Sequence, residues 1–348
     1  MKNRWDIQFT GPLYLATRFR DNKDPCPVFD GSTWHIYGSG GSVLTETWEI
    51  LHATAPTLEG PWTEHNPIPL HGVHGKSVAA PGVIFDNGQF HMFVQTDCFA
   101  VDGRIEYLRS FDGWNFEYSG TALHSLAVTR SVETISAEEK NELSKQPETG
   151  IYDSHPAIIH GEKYIIYSGM AEVGRPNIYL AKSNSNDWSG PWMRVRPQEG
   201  LKDAILTHEE VIHHNQQDHA DYEWGLEGAQ LLELPNGLIL LNAVCFLPYG
   251  KRGTRQRIFF AASHSVLGPY RTIGPLMNPP LSGWDSGENG HAAAIIHNNE
   301  LVLFYQARPP AWQPWKFGIA RINLFKFQKY IESYMRMSEK LMKFEEIL

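Results

Sequence analysis

The sequence contains little cysteine, no excess of basic residues and no long apolar run. Its three cysteines, Cys26, Cys98 and Cys245, are far apart and form no Cys-x-x-Cys pair. Such a scattered set argues against a disulfide framework or a zinc ribbon and is typical of a reducing compartment. No apolar run approaches the ~20 residues of a membrane-spanning helix, and the start of the chain lacks the apolar segment of a signal peptide. We therefore expect a cytoplasmic protein.

The chain is acidic overall. It carries 30 Lys and Arg against 39 Asp and Glu, a formal net charge of −9. A protein that binds nucleic acid or an anionic membrane through its charge would carry the opposite sign, so neither is an expected partner. Hydrophobic residues make up 42% of the 348 residues and charged residues 20%, which is ordinary for a globular protein and excludes a disordered one.

A repeated pattern extends over most of the chain. Each copy has a small polar or charged opening, an apolar strand, a tight turn, and a second strand that ends in Ser, Thr, Ala or Gln. The five copies are DPCPVFDGSTWHIYGSG from Asp24, APGVIFDNGQFHMFVQT from Ala80, YDSHPAIIHGEKYIIYSG from Tyr152, EGAQLLELPNGLILLNA from Glu227 and GHAAAIIHNNELVLFYQ from Gly290. Their turn pairs, such as Asn87-Gly88, allow positive φ and close short hairpins.

Further strands follow each hairpin, and most copies end in a Gly-Pro-aromatic turn such as Gly60-Pro61-Trp62. Five copies of four short strands between Asp24 and Asn323 predict an all-β fold, a five-bladed β-propeller. We expect residues 1–323 to form this propeller as a catalytic domain and residues 324–348 to form a short C-terminal helical tail. The apolar face of the tail either packs on the outside of the propeller or forms a homodimer contact.

Two segments depart from the pattern. Residues 136–145 open with a Ser-x-x-Glu capping box and predict a short surface helix. An insertion before the fourth copy contains four histidines, His208, His213, His214 and His219. Their spacing lacks the carboxylate arrangement of a zinc-protease helix, so we interpret them as part of a solvated loop.

The first strand of every propeller blade lines the central channel, so the openings of the five copies should meet at one end of it. The residues that they bring together are Asp24, Ala80, Asp153, Glu227 and His291. Three carboxylates and an imidazole in one funnel are costly, because like charges raise one another's pKa, and such sets are found where they perform a function. Glycoside hydrolysis needs such a set: one carboxylic acid protonates the leaving oxygen and one carboxylate activates water.

Three of these residues also have a structural interpretation, whereas a bare Glu227 at the entry of a strand is harder to explain by structure alone. Asp24 before Pro25 could form a turn, and Asp153 could cap a bend. His291 could be a hydrogen-bonded imidazole of the core. The functional interpretation depends on their equivalent positions in separate copies.

In their order, the openings resemble those of glycoside hydrolase family 43, in a clan shared with families 32, 68 and 117. The features that match are Asp24-Pro25, Asp153 with a nearby proline, Glu227-Gly228 and Gly290-His291. The resemblance implies a five-bladed propeller with Asp24 as general base, Asp153 as the carboxylate that modulates the pKa of the acid, and Glu227 as general acid. It further implies that His291 lies beneath the site, next to a calcium or sodium ion.

Two positions depart from the family pattern. Ala79 precedes Ala80-Pro81, where the family commonly has an aromatic residue, so the shape of the sugar subsite differs. The third opening places Ser154 and His155 between Asp153 and its proline, which argues against the fructosyl enzymes of the same clan.

Sugar binding needs flat apolar faces and polar hydrogen-bonding groups. Trp224 and Trp284 precede the fourth and fifth openings and are candidates for stacking on the substrate. Arg308, at the end of the fifth hairpin, either holds a substrate group or pairs with an acid. We interpret Trp48 and Trp62 as packing residues.

We expect a glycosidase that cleaves a small oligosaccharide or glycoside, of pentose or galactose type, with inversion. One alternative is a propeller with the same funnel that binds a glycan or performs non-hydrolytic chemistry on a small molecule. Another is a retaining fructosyl enzyme of the clan. The sequence has no phosphate-binding or nucleotide-binding motif, so no organic cofactor is expected.

Overall fold

A computed structural model shows the predicted repeats as the blades of a propeller. It describes residues 5, 7–13, 16–45, 47–75, 78–97, 103–125, 150–172, 175–195, 204–207, 210–211, 224–246, 256–275, 282–310 and 313–345. The predicted helix at 136–145 and the histidines His208, His213, His214 and His219 lie outside the described residues.

Twenty strands account for most of the described chain. In order they are β1 (Gln8–Leu13), β2 (Asp21–Phe29), β3 (Trp34–Ser42), β4 (Thr47–Ala55), β5 (Thr63–Glu64), β6 (Ala79–Asp86), β7 (Gln89–Thr96), β8 (Arg104–Ser110), β9 (Glu117–His124), β10 (Ile151–Ile159), β11 (Glu162–Glu172), β12 (Arg175–Ser183), β13 (Trp192–Arg194), β14 (Trp224–Glu233), β15 (Ile239–Phe246), β16 (Gln256–Ser263), β17 (Arg271–Pro275), β18 (Glu288–His297), β19 (Glu300–Arg308) and β20 (Lys316–Asn323).

These strands form five separate four-stranded sheets, so the five-bladed β-propeller is confirmed. Blades 1 to 4 take consecutive strands, β2 to β5, β6 to β9, β10 to β13 and β14 to β17. The predicted two-residue turns occur at Asn87-Gly88, His160-Gly161 and Asn298-Asn299, all with positive φ. One hydrophobic cluster fills each interface between neighbouring blades, and burial of these side chains holds the ring together.

The fifth blade takes its outer strand from the opposite end of the chain. β1 pairs antiparallel with β20, with Gln8 opposite Arg321 and Thr10 opposite Ile319. The repeat, which begins at Asp24, supplied only three strands for this blade, and β1 is the missing fourth. Hydrogen bonds between the two ends of the chain therefore close the ring, which removes an exposed sheet edge.

The C-terminal helix packs on the propeller. α1 (Leu324–Glu345) begins directly after β20 and is 22 residues long. Phe327, Ile331 and Met335, one helical turn apart, are buried in the cluster between blades 4 and 5, where Trp5 also packs. The tail thus covers its own chain over these turns, and a homodimer contact through it stays a prediction. In the described part of the chain, no helix combines the length and apolar character needed to cross a membrane.

We predict that Gly318→Ala lowers the free energy of unfolding by about 1–3 kcal/mol, because it overpacks blade 5. A Cβ at this position of β20 would lie 2.6 Å from Cη2 of Trp284 and 2.8 Å from Cζ of Tyr305. Urea unfolding measures the change. Lys316→Ala, an exposed substitution in the same strand, should stay within about 0.5 kcal/mol of the parent. Equal stability of the Gly318 variant and the parent would contradict the packing of Trp284 against β20.

Candidate active site

Four polar side chains meet at one end of the central channel. The imidazole of His291 lies between two carboxylates: its Nδ1 is 2.9 Å from Oδ1 of Asp24, and its Nε2 is 2.9 Å from Oε1 of Glu227. The third carboxylate, Asp153, has its Oδ2 3.9 Å from the same Nδ1. The structure therefore brings together the three carboxylates and the histidine that the five openings predicted, from four different blades.

A β-bulge in the first strand of every blade positions these side chains. At each bulge two residues of the first strand lie opposite one residue of the second strand. The first residue of each bulge has a left-handed backbone conformation: Asp24 (φ 55°), Ala80 (φ 48°), Asp153 (φ 49°), Gly228 (φ 59°) and His291 (φ 38°). Bulges of this kind interrupt the alternation of a strand and redirect side chains, here into the channel.

Glu227 does not occupy the bulge position of its blade, although the comparison of openings aligned it there. Gly228 does, and a Cβ on it would lie 2.9 Å from Nδ1 of His291. Glycine therefore leaves room for the imidazole that contacts Glu227. Glu227 itself occupies the preceding position, which in the other blades is taken by Lys23, Ala79, Tyr152 and Gly290.

Four of the five bulges are held by a polar side chain from the preceding blade. The backbone N–H of Asp24 donates to Oε1 of Gln306 at 2.8 Å, and that of Asp153 donates to Oε1 of Gln95 at 2.7 Å. Ser39 and Ser168 accept the equivalent bonds from Ala80 and Gly228. In the fourth blade the corresponding residue is Val244, which has no polar group. Four of the five bulges thus satisfy a buried N–H across a blade interface.

Asp24 is held as a carboxylate. Ser39 donates a hydrogen bond of 2.6 Å to its Oδ2, and Nζ of Lys23 is 4.0 Å from its Oδ1. Burial alone would raise the pKa of Asp24, but the charges of Lys23 and His291 and the hydrogen bond from Ser39 hold the pKa well below its usual value. Asp24 is therefore ionised at neutral pH, as a general base must be.

Asp153 differs from Asp24 in its proton affinity. Burial raises the pKa of Asp153 to about 7, and the charges of Glu227 and Asp24 act in the same direction, while His291 opposes them. Near neutral pH this carboxyl group therefore carries a proton for much of the time. Two neighbouring carboxyl groups that differ in this way are the usual basis of acid and base assignments in an active site.

Two donors approach one oxygen of Glu227. Its Oε1 accepts hydrogen bonds from Nε2 of Gln256 at 3.1 Å and from Nε2 of His291 at 2.9 Å. Burial would lower the pKa of His291, but the charges of Asp153 and Asp24 and the contacts with Asp24 and Glu227 hold the pKa well above its usual value. The ring is therefore an imidazolium that faces a carboxylate oxygen on each side.

The donor set does not fit a calcium or sodium ion held by His291. Three possible ligand atoms lie within 4.8 Å of one another, one each from Asp24, Asp153 and His291. They are close enough to surround a cation. However, His291 is an imidazolium whose two nitrogens each lie 2.9 Å from a carboxylate oxygen, so the ring presents no lone pair. These hard cations also take mainly oxygen ligands. The expected ion stays a prediction that this arrangement does not favour.

In the described part of the chain, the predicted substrate-binding residues do not gather at the carboxylate cluster. Arg308 is buried, and its Nε and Nη2 lie 3.0 and 2.5 Å from Oε1 of Glu288, so it pairs with an acid, one of the two roles expected for it. Trp284 packs on Tyr305, with ring centroids 5.8 Å apart, and against the blade 5 sheet. The structure does not bring it to the carboxylate cluster. Trp224 begins β14, and its side chain lies outside the described part.

Several residues of the site were not recognised in the sequence. Lys23 and Gln256 contact the carboxylates, and Gln306 and Gln95 hold their backbone. Trp48 was interpreted as a packing residue, but its ring lies 5.4 Å from Nζ of Lys23. In four blades a Ser or Gln near the end of the second strand was visible in the repeat. Its partner lies in the next blade, so the contact could not be read from one copy.

The channel widens next to this cluster into an open cavity of about 330 Å³. Asp24, Asp153 and His291 line it together with small residues of the bulges, among them Ala80 and Gly228. A cavity that is mostly apolar, with a few converging polar groups, is the usual form of a binding site for a small molecule.

Comparisons with known proteins give similarity in structure alone. No family model and no curated protein sequence matches the chain. The catalytic domain of a Coprinopsis cinerea GH62 α-L-arabinofuranosidase is 16% identical, with 91% of this chain and 97% of that chain covered and a TM-score of 0.59. A thermostable family-43 glycoside hydrolase is 16% identical, with 88% and 92% covered and a TM-score of 0.58. A Bacillus subtilis arabinanase is 14% identical, with 86% and 92% covered and a TM-score of 0.55.

The TM-scores and the coverage show that the chain shares the fold of these glycoside hydrolases over most of its length. At identities this low, the similarity shows the fold alone. It agrees with the resemblance in the openings of the repeats. The chemistry of the site has to be argued from its own residues.

We predict that Asp153→Asn flattens the pH dependence of stability. The pKa of Asp153 rises from its usual value near 4 to about 7 on folding. The folded chain therefore binds more protons between these values, so the free energy of unfolding falls as the pH rises through this window. The parent should lose up to about 4 kcal/mol relative to Asp153→Asn between pH 4 and pH 8, as measured by urea unfolding.

Ser154→Ala, a buried substitution next to Asp153, is the matched control and should keep the pH slope of the parent. A parent and an Asp153→Asn variant with parallel pH profiles would contradict the raised pKa.

Proposed function

We propose that this protein is a glycosidase that hydrolyses a small oligosaccharide or glycoside with inversion of the anomeric carbon. The observation that supports this most directly is the placement of Asp24 and Glu227 on opposite nitrogens of one imidazole, where Asp24 and the imidazole line an open cavity. A ring that contacts both carboxylates in this way keeps their oxygens no more than about 8 Å apart. This bound admits both the separation of about 6.5–9.5 Å in inverting enzymes, where a water molecule fits, and that of about 5–5.5 Å in retaining enzymes. Inversion is proposed on the roles of base and acid that the resemblance implies for Asp24 and Glu227.

Asp24 is the general base of this proposal. It stays ionised because Lys23 and the imidazolium of His291 stabilise its charge. A carboxylate in this state can take a proton from water as the water attacks the anomeric carbon. The N–H bond to Gln306 and the hydroxyl of Ser39 fix its position, so the base does not need to reorganise during the reaction.

Glu227 is the general acid, and Asp153 supplies it with a proton at neutral pH. Asp153 holds a proton with a pKa of about 7, partly because of the charge on Glu227. In this proposal the proton held by Asp153 reaches Glu227 before the glycosidic bond breaks. Glu227 then delivers the proton to the oxygen of the leaving group.

The substrate class follows from the resemblance and from the neighbours in structure. Two of the similar structures are named as an α-L-arabinofuranosidase and an arabinanase. We therefore propose a sugar of pentose or galactose type for this site. A cytoplasmic location would suit small imported glycosides rather than polymers.

A second candidate function is the binding of a glycan without hydrolysis. The observation that favours it is the engagement of His291 with both Asp24 and Glu227, which ties the base and the acid to the same ring. In a hydrolase the substrate must compete with these contacts for both carboxylates.

We predict that Asp24→Asn abolishes turnover of every 4-nitrophenyl glycoside that the parent cleaves, because no water is activated. Glu227→Gln should lower kcat/KM by about 10²–10⁴-fold on glycosides with poor leaving groups. It should lower it much less on 4-nitrophenyl glycosides, which need little protonation. Steady-state kinetics on panels of arabinosides, xylosides and galactosides measures both.

Glu117→Gln, an exposed substitution in β9, is the control and should match the parent. If the parent turns over none of these substrates, the glycan-binding candidate is favoured. Equal losses for Glu227→Gln on good and poor leaving groups would rule out its role as the acid.

A further inference from the structure

A lysine occupies the same position in blade 1 as Glu227 in blade 4. Both residues directly precede the left-handed residue of the bulge, Lys23 before Asp24 and Glu227 before Gly228. Because the blades repeat the same geometry, side chains at this position enter the same funnel. Ala79, Tyr152 and Gly290 hold the position in the other blades, so Lys23 is the one cation there.

The ammonium of Lys23 lies near the carboxylates but donates no hydrogen bond to the described part of the chain. Its Nζ is 4.0 Å from Oδ1 of Asp24, beyond hydrogen-bond distance, and its side chain is only 21% exposed. Within the described part of the chain no group accepts a hydrogen bond from it. The exposed part of this side chain leaves its N–H groups open to water or to a hydroxyl of a ligand.

Trp48 fixes the ammonium without using its donors. The indole ring lies 5.4 Å from Nζ, within the range of a cation–π contact. The lysine is therefore positioned by an aromatic face on one side and by Asp24 on the other. Its N–H groups donate to no acceptor in the described part of the chain, so they stay open to a ligand in the funnel that Lys23 shares with Glu227.

The chemistry around Lys23 favours a neutral hydroxyl over a carboxylate. Asp24, Glu227 and Asp153 all stabilise the charge on its ammonium, so an added anion would meet three acidic groups. A hydroxyl can accept from Nζ and donate to Asp24 at once. An oxygen about 2.8 Å from each atom spans their separation.

We propose that Lys23 is a substrate-binding residue that receives a ring hydroxyl of a neutral sugar between its ammonium and Asp24. This inference deepens the proposed glycosidase function and uses the same site. It makes Lys23 a determinant of specificity, which selects neutral sugars against uronic acids.

Calorimetric titration of the full chain with L-arabinose, D-xylose, D-galactose and D-galacturonate tests the proposal. At least one neutral sugar should bind, and Lys23→Met should weaken that binding at least about tenfold. Lys23→Arg should retain part of the affinity. Galacturonate should bind no more tightly than galactose. Among the monodeoxy analogues of the sugar that binds, one should bind the parent and Lys23→Met equally, because it lacks the hydroxyl that the lysine contacts.

Lys163→Met is the matched control, because Nζ of Lys163 also lies over an indole, 5.0 Å from the ring of Trp188, and 2.8 Å from Oδ2 of Asp86. It should leave sugar binding unchanged. Failure of all three neutral sugars to bind the parent, unchanged binding by Lys23→Met, tenfold tighter binding of galacturonate than galactose, or a loss shared by every deoxy analogue would each overturn the proposal. Sugar binding that depends on Lys23, without turnover of any glycoside, would support the role of Lys23 in binding and contradict the proposed hydrolase function.

Discussion

The site depends on a backbone feature, the left-handed bulge in the first strand of every blade, and on the hydrogen bond that holds it. A residue with positive φ is strained unless its surroundings fix it. In four of the five blades the amide of the bulge donates to a side chain of the preceding blade, as when Gln306 of blade 5 accepts from Asp24 of blade 1. The position of each catalytic candidate therefore depends on the correct docking of two blades. Closure of the ring by β1 serves the same end, since it sets blade 5 against blade 1.

Two cations, the imidazolium of His291 and the ammonium of Lys23, stabilise the negative charge of the carboxylates in the funnel. Burial works against every ionised group there, yet Asp24 stays a carboxylate because Lys23 and His291 are cations. At Asp153 the charges of His291 and Lys23 do not outweigh the effect of burial, so burial raises its pKa to about 7. The same desolvation thus produces a base and a proton reservoir from two aspartates, since their neighbours differ.

The repeat and the polar openings predicted the fold, the number of blades and the meeting of Asp24, Asp153, Glu227 and His291 at one place. These features are local in sequence and recur, which is why they can be read. The offset of Glu227 by one residue could not be read, because it depends on which residue of the strand adopts the bulge. β1 was missed because it pairs with β20, more than 300 residues away. Lys23 was overlooked because its environment is created by residues from four blades.

The stereochemistry of the product tests the central claim most directly, because it reports the relation between Asp24 and Glu227 during the reaction. Proton NMR spectra recorded at once after mixing the full chain with an aryl glycoside that it cleaves show the anomer released first. Single displacement with Asp24 as base and Glu227 as acid yields a sugar of opposite anomeric configuration to the substrate. First release of the anomer with the configuration of the substrate would show a retaining mechanism and contradict this assignment.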